Sequence, residues 1–167
     1  MKKKDKIALM VTEYYSNYPQ LRDDIQHTQE VVSFTRMISV GEGMSEAEVE
    51  MLESAAWLHD IGCPKSKEIY GNSLPKNQMK LGYEVTTKLL ERVDYFSESE
   101  KQWLANVVGT HHNFNSAVEL NYLPLYEADL IVNILSGYHS IEKAPNLFNT
   151  VMKTKSGKEL FKMLIKL

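Results

Sequence analysis

Apolar positions recur along this chain at helical spacing, and period-two alternation is scarce. Residues at i, i+3, i+4 and i+7 share one face of a helix, because about 3.6 residues complete a turn. Ile7, Met10, Val11, Tyr14, Tyr15 and Tyr18 form the first such stripe, and Pro19 stops it, which predicts a helix over 3–17. A second helix, over 21–40, carries Val31, Phe34, Thr35 and Ile38, with His27 a turn further back, and ends at Gly41 and Gly43. Ser45-Glu46-Ala47-Glu48 is a capping box and opens a third helix with Val49, Leu52, Ala56 and His59 on one face. Residues 61–76 read as an ordered loop, long for a helical bundle.

A fourth helix, over 77–93, has Gln78, Gly82, Val85, Thr86 and Leu89 in its stripe. Ser97 to Glu100 is a second capping box; the fifth helix behind it carries Trp103, Leu104, Val107 and Val108, its face extends to His111, and Asn113 ends it. Pro124 suits the first turn of a sixth helix, in which Leu125, Ala128, Asp129 and Val132 share a face. Residues 136–150 read as a loop, and a last helix over 157–167 carries Leu160, Leu164 and Leu167. The pattern predicts one all-α domain over 1–167, a bundle of six to eight helices with no substantial sheet.

Composition narrows the function classes. A 43 % hydrophobic and 25 % charged make-up with five prolines and eight glycines fits a folded soluble domain. A net charge of −3 argues against a nucleic-acid footprint spread over the domain. Cys63 is the only cysteine, so it packs as a small side chain and neither an internal disulfide nor a thiolate zinc cage can form. Lys2 to Lys4 begin like a signal peptide, but the apolar run Ile7 to Val11 is too short for its hydrophobic region or for a membrane span. A cytoplasmic location is expected.

The chemistry centres on Ala55-Ala56-Trp57-Leu58-His59-Asp60-Ile61-Gly62. Adjacent helical residues point about 100° apart, so His59 and Asp60 reach one ion only if it lies beyond the helix end. Gly62 and Pro64 supply that end. Four apolar stripes carry a ligand-type side chain near an end: His27, His59 with Asp60, His111, and Asp129. Singly, each histidine reads as a core residue; an unpaired buried Asp129 is costly and needs a cation or several donors. Together they make a nitrogen and oxygen site for Mn²⁺, Fe²⁺, Ni²⁺, Co²⁺ or Zn²⁺. Such a site keeps positions open for water, which becomes a hydroxide nucleophile near neutral pH. No Ser-His-Asp order, Walker loop or dinucleotide fingerprint is present.

Gln26-His27-Thr28, Leu58-His59-Asp60-Ile61-Gly62, Gly109-Thr110-His111-His112 and Glu127-Ala128-Asp129-Leu130 follow one another in an order that resembles the HD-domain superfamily of metal-dependent phosphohydrolases. The resemblance covers residues 20–135. It implies an all-α bundle in which His27, His59, Asp60 and Asp129 form the metal shell, and hydrolysis of a nucleotide or other small phosphate ester. Dinuclear members bind a second metal through further histidines. Gln78 stands at one of those positions, which favours one ion per chain and leaves Gln78, His111 and His112 to line the substrate pocket. His111 or His112 would then act as proton donor or phosphate contact, with ligation by one of them left open. Lys65 stands where the family often has a basic residue that binds phosphate.

Other residues have weaker claims. Lys65 and Lys67 form an anion-binding loop or are simply solvated. Asp23 could orient His27 or serve the helix dipole; His139 reads as a surface residue; Tyr70, Tyr83 and Phe114 read as core aromatics rather than base-stacking groups. The C-terminal helix could serve a homodimer. The competing functional reading is a non-catalytic HD module that binds metal and nucleotide as a sensor.

Overall fold

The computed structural model describes residues 1–19 and 21–166, with the backbone alone at Leu21. Its described residues form α-helices and one 3₁₀ turn, and no strand. The helices are α1 (Lys3–Tyr15), α2 (Leu21–Gly41), α3 (Glu46–Leu58), α4 (Cys63–Tyr70), α5 (Pro75–Leu90), α6 (Glu98–Thr110), α7 (Phe114–Glu119), α8 (Leu123–Leu135), α9 (Ala144–Thr150) and α10 (Lys155–Ile165). The 3₁₀ turn, Ile141–Lys143, precedes α9.

The stripes read from the sequence are buried. Ile7, Val11 and Tyr15 of α1, Val31 and Ile38 of α2, and Leu104, Val107 and Val108 of α6 all join one core. Both capping boxes form, Ser45 with Glu48 and Ser97 with Glu100, so each helix start satisfies its own amides. At the centre lies α8, whose residues are apolar on nearly every side and buried from Pro124 to Ile134 except Tyr126, as expected of a helix surrounded by others. It packs on α2, α3, α7 and α10.

Two buried carboxylates tie the bundle together. Glu53 of α3 accepts from Lys4 at 2.6 Å and from Arg36 at 3.0 Å, joining α1 and α2 to α3. Glu127 of α8 accepts the backbone N–H of Lys153 at 2.6 Å and of Thr154 at 2.9 Å, and the Thr154 hydroxyl donates to its other oxygen. Thr154 is also the N-cap of α10, so the start of that helix is fixed to α8.

Three short helices lie where loops were expected, or beyond an expected end. Residues 61–76 contain α4 and 136–150 contain α9; α7 follows Asn113, whose side chain caps it. These helices have six to eight residues and no long stripe, so their stability comes from packing rather than from a periodic signal. The buried side of α10 falls on Phe161 and Ile165, one residue later than the Leu160 and Leu164 stripe; Leu167 lies outside the described residues. Tyr70 and Tyr83 are exposed rather than in the core, while Phe114 packs on Tyr126.

Gly62 follows the end of α3 as expected and also begins the next helix. Its backbone is right-handed, and it is the N-cap of α4. A Cβ there would overlap the Gln78 carbonyl oxygen and the Gly82 amide, so glycine is needed for α5 to pass close to the turn after His59-Asp60.

Candidate metal centre

Three helices deliver the first group of ligand-type atoms. α2 carries His27, the turn after α3 carries His59 and Asp60, and α8 carries Asp129. His27 Nε2 lies 3.3 Å from His59 Nε2, 3.3 Å from Asp60 Oδ2 and 3.2 Å from Asp129 Oδ1. His59 Nε2 lies 3.4 Å from Asp60 Oδ2 and 3.6 Å from Asp129 Oδ1. Atoms about 2.1 Å from one centre, a usual nitrogen or oxygen bond to such an ion, lie roughly 3.0–3.4 Å from one another. Four of the five spacings fall in that range, and the His59–Asp129 spacing of 3.6 Å lies just outside it, so these atoms could share an ion.

The tautomers agree. His59 Nδ1 donates to the Ala56 carbonyl at 2.7 Å, and His111 Nδ1 donates to the Val108 carbonyl at 2.8 Å. A carbonyl can only accept, so in each neutral ring the lone pair sits on Nε2 and faces the site. Neutral His59 Nε2 then confronts two carboxylates and a second imidazole, an arrangement of acceptors that a cation resolves.

Protons can stand in for that cation. Burial opposes a charge on His27, but hydrogen bonds to Asp129 and Asp60 outweigh it and raise its pKa to about 9. Burial opposes charge on His59 as well, and the Asp60 carboxylate with Asp129 pushes its pKa well above the usual value. Burial works against ionised Asp60, yet the His59 charge and the adjacent His111 and His27 rings hold it well below the carboxylate range. Asp129 is likewise lowered, through His27 and His59. A divalent ion would replace these protons and meet neutral imidazoles and carboxylates.

Asp60 also faces a second group. Its Oδ1 lies 3.3 Å from His111 Nε2, and Asp60, His111 and His112 form another cluster that could hold an ion. The His111 and His112 rings touch at a tilt of 42°, with centroids 4.1 Å apart. Among the described residues both Nε2 atoms are buried without a hydrogen bond. Burial and the neighbouring His111 push the His112 pKa down to about 4, so its ring stays neutral.

A cavity of about 190 Å³ opens beside the cluster, its wall including Asp24, His27, Asp60, Lys67, His112 and Tyr138. Gln78 also borders it, but its amide is engaged: Oε1 accepts from the Cys63 thiol at 2.8 Å and Nε2 donates to the Ser73 carbonyl at 3.2 Å.

Two positions differ from the sequence reading. Lys67, not Lys65, borders the cavity. Lys67 stands four residues after Cys63 on α4 and shares its face, whereas Lys65 is turned about 200° from Lys67. Asp24, not Asp23, turns inward: Asp23 is exposed, and Asp24 Oδ1 lies 3.5 Å from Lys67 Nζ. Asn133 was missed. Its Nδ2 donates to Asp129 Oδ1 at 3.0 Å, and its position one turn after Asp129 was the available signal.

No curated protein and no solved structure matches the chain. The family model described as HD domain matches residues 24–140, well over half of the chain and all four ligand-bearing segments. Its members are for the most part metal-dependent hydrolases, and the His and Asp groups assembled here could hold a metal ion. By that match and by its all-α architecture, the chain belongs to the HD domain family.

Proposed function

We propose that the protein is a metal-dependent phosphohydrolase acting on a nucleotide or another small phosphate ester. The observation that carries this reading is that His27 Nε2 and His59 Nε2, 3.3 Å apart, each lie 3.2–3.6 Å from Asp60 Oδ2 and Asp129 Oδ1, with His27 and Asp60 lining an open cavity. His27, His59, Asp60 and Asp129 would hold one divalent ion. When bound, such an ion acidifies water and polarises a phosphoryl oxygen.

The chain's own groups do the rest. Lys67, held near the cavity by Asp24, presents an ammonium to the phosphate. Asn133 fixes the Asp129 carboxylate. His111 and His112 border the far side of Asp60. Burial and the neighbouring His111 lower the His112 pKa, which favours a neutral ring that contacts phosphate over one that supplies a proton to the leaving group. Gln78 acts as a brace between Cys63 and Ser73, which supports a single-ion site. Within this reading the phosphorylated substrate is the principal partner, no broad nucleic-acid surface is involved, and the setting is cytoplasmic.

Metal analysis of protein purified without a histidine tag, followed by turnover of a general phosphatase substrate and a nucleotide panel with Mn²⁺, Ni²⁺ or Co²⁺, tests the proposal. Hydrolysis that requires the metal and is lost in Asp60→Ala is the expected result. Metal-dependent nucleotide binding without hydrolysis would place the protein among sensors instead.

A further inference from the structure

We infer that Tyr138 is a stacking platform for a planar ring of the ligand whose phosphate enters the metal cavity; this rests on the phosphate-ester reading above. Size makes the first part of the argument. The cavity is about 190 Å³. Pockets that enclose a whole drug-sized ligand run to roughly 300–1,000 Å³. Only the phosphate end of a nucleotide-sized ester is enclosed, and the remainder must lie across the rim.

The rim offers two directions. One leads past His27 and Ser136 into a neighbouring cleft bordered by Asp23, Gln26 and Glu30, where further phosphates would meet carboxylates. The other leads onto Tyr138, which borders the cavity and leaves 64 % of its surface exposed. An open aromatic ring at the mouth of a phosphate-sized cavity presents a π-face to the unenclosed part of the ligand.

The turn beneath the ring is fixed, and one face of the ring has a neighbour. Gly137, at φ 78°, donates to the Ile134 carbonyl at 3.1 Å, a turn that closes the end of α8. The His139 amide donates to the Asn133 carbonyl at 2.9 Å. The His139 imidazole packs against the Tyr138 ring, with centroids 5.2 Å apart and planes 59° apart. A ring restrained before binding loses little freedom when a ligand stacks on it.

Tyr138 is also placed along the axis that carries the metal ligand. Asp129, Asn133 and Ser136 follow one face of α8 toward the turn. From Asp129 to Ser136 the helix rises about 10 Å. A sugar between a phosphate beside Asp129 and a ring on Tyr138 would bridge that interval. Stacking accepts any base, since each has a π-face, so the platform selects a ring-bearing ester over a plain sugar phosphate without choosing among bases.

The test uses the full chain loaded with Mn²⁺ and three probes that cannot be hydrolysed: the methylenephosphonate analogue of adenosine 5′-monophosphate, the corresponding ribose phosphonate, and inorganic phosphate. Calorimetric titration should show the adenosine probe binding more tightly than the ribose probe. Tyr138→Ala should weaken the adenosine probe by about tenfold, leave the other two unchanged, and be rescued by Tyr138→Trp. Equal weakening of all three probes would show a structural role and overturn the platform. Adenosine and ribose probes binding the parent equally would overturn it while leaving the phosphate site standing. Failure of all three to bind the parent would overturn both readings.

Discussion

His27 and His59 are 32 residues apart in the chain, yet their Nε2 atoms face each other at 3.3 Å. Two neutral imidazole lone pairs at that distance repel unless a proton or metal ion lies between them. The contact therefore couples the pairing of α2 with α3 to the chemistry of the site: whatever cation resolves it also clamps the two helices together.

Removing metal should accordingly lower stability. Binding to the folded state alone stabilises by RT ln(1 + [L]/Kd), about 2.7 kcal/mol when free ion is at 100 times Kd. Chelator-treated protein should melt at lower temperature than the Mn²⁺-loaded form, and the melting temperature should climb with ion concentration. A melting curve indifferent to chelator and to added ion would contradict a site of this kind.

Asp60→Ala and Asp129→Ala should behave alike, although the residues come from different helices. Each removes a carboxylate oxygen within 3.3 Å of His27 Nε2. Bound metal should fall by more than about 100-fold in affinity, exceeding the loss expected from a supporting residue. Circular dichroism should remain helical, because a buried charge leaves with the ligand. Full metal occupancy and activity in Asp129→Ala, with both lost in Asp60→Ala, would remove Asp129 from the shell.

Asn133→Ala tests the support of Asp129. Its amide donates to the same Oδ1 that faces His27 and His59. Loss of such a partner costs roughly 10- to 100-fold in metal affinity. Competition with a chromophoric chelator measures it directly, and unchanged affinity would assign Asn133 to packing alone.

His111→Ala and His112→Ala should reduce turnover more than metal content if one ion sits among His27, His59, Asp60 and Asp129. The count of ions per chain is decisive, because the Asp60, His111 and His112 group could hold another. Two ions in protein purified without added metal would replace the single-ion scheme with one in which Asp60 is shared.

Gly62→Ala should destabilise the fold and disturb the site together. The added methyl would strike the Gln78 carbonyl and the Gly82 backbone, which lie on α5. Overpacking of this kind costs about 1–3 kcal/mol. Chemical denaturation should show the loss, and metal affinity should fall because the turn bearing His59 and Asp60 is displaced. Stability equal to the parent would mean that α5 moves aside freely.

By itself the sequence determined the long helices and their inward faces, because 3.6-residue periodicity is a local property written in side-chain polarity. Ile7, Val11 and Tyr15 could be assigned to one face without knowing what covers them. The same locality exposed the ligand types at the stripe ends, His27, His59, Asp60, His111 and Asp129, and the two capping boxes. It did not mark the short helices α4, α7 and α9, which lack a long stripe and are held by packing. Tertiary structure decided that Lys67 rather than Lys65, and Asp24 rather than Asp23, turn toward the cavity, since neighbouring helical residues point about 100° apart and only the packing of α4 and α2 sets which of them faces inward. It also decided that the Gln78 amide is spent on Cys63 and Ser73, and that Gly62 serves close passage of α5. Those facts depend on the distance between segments remote in the chain, and only the packed bundle fixes that distance.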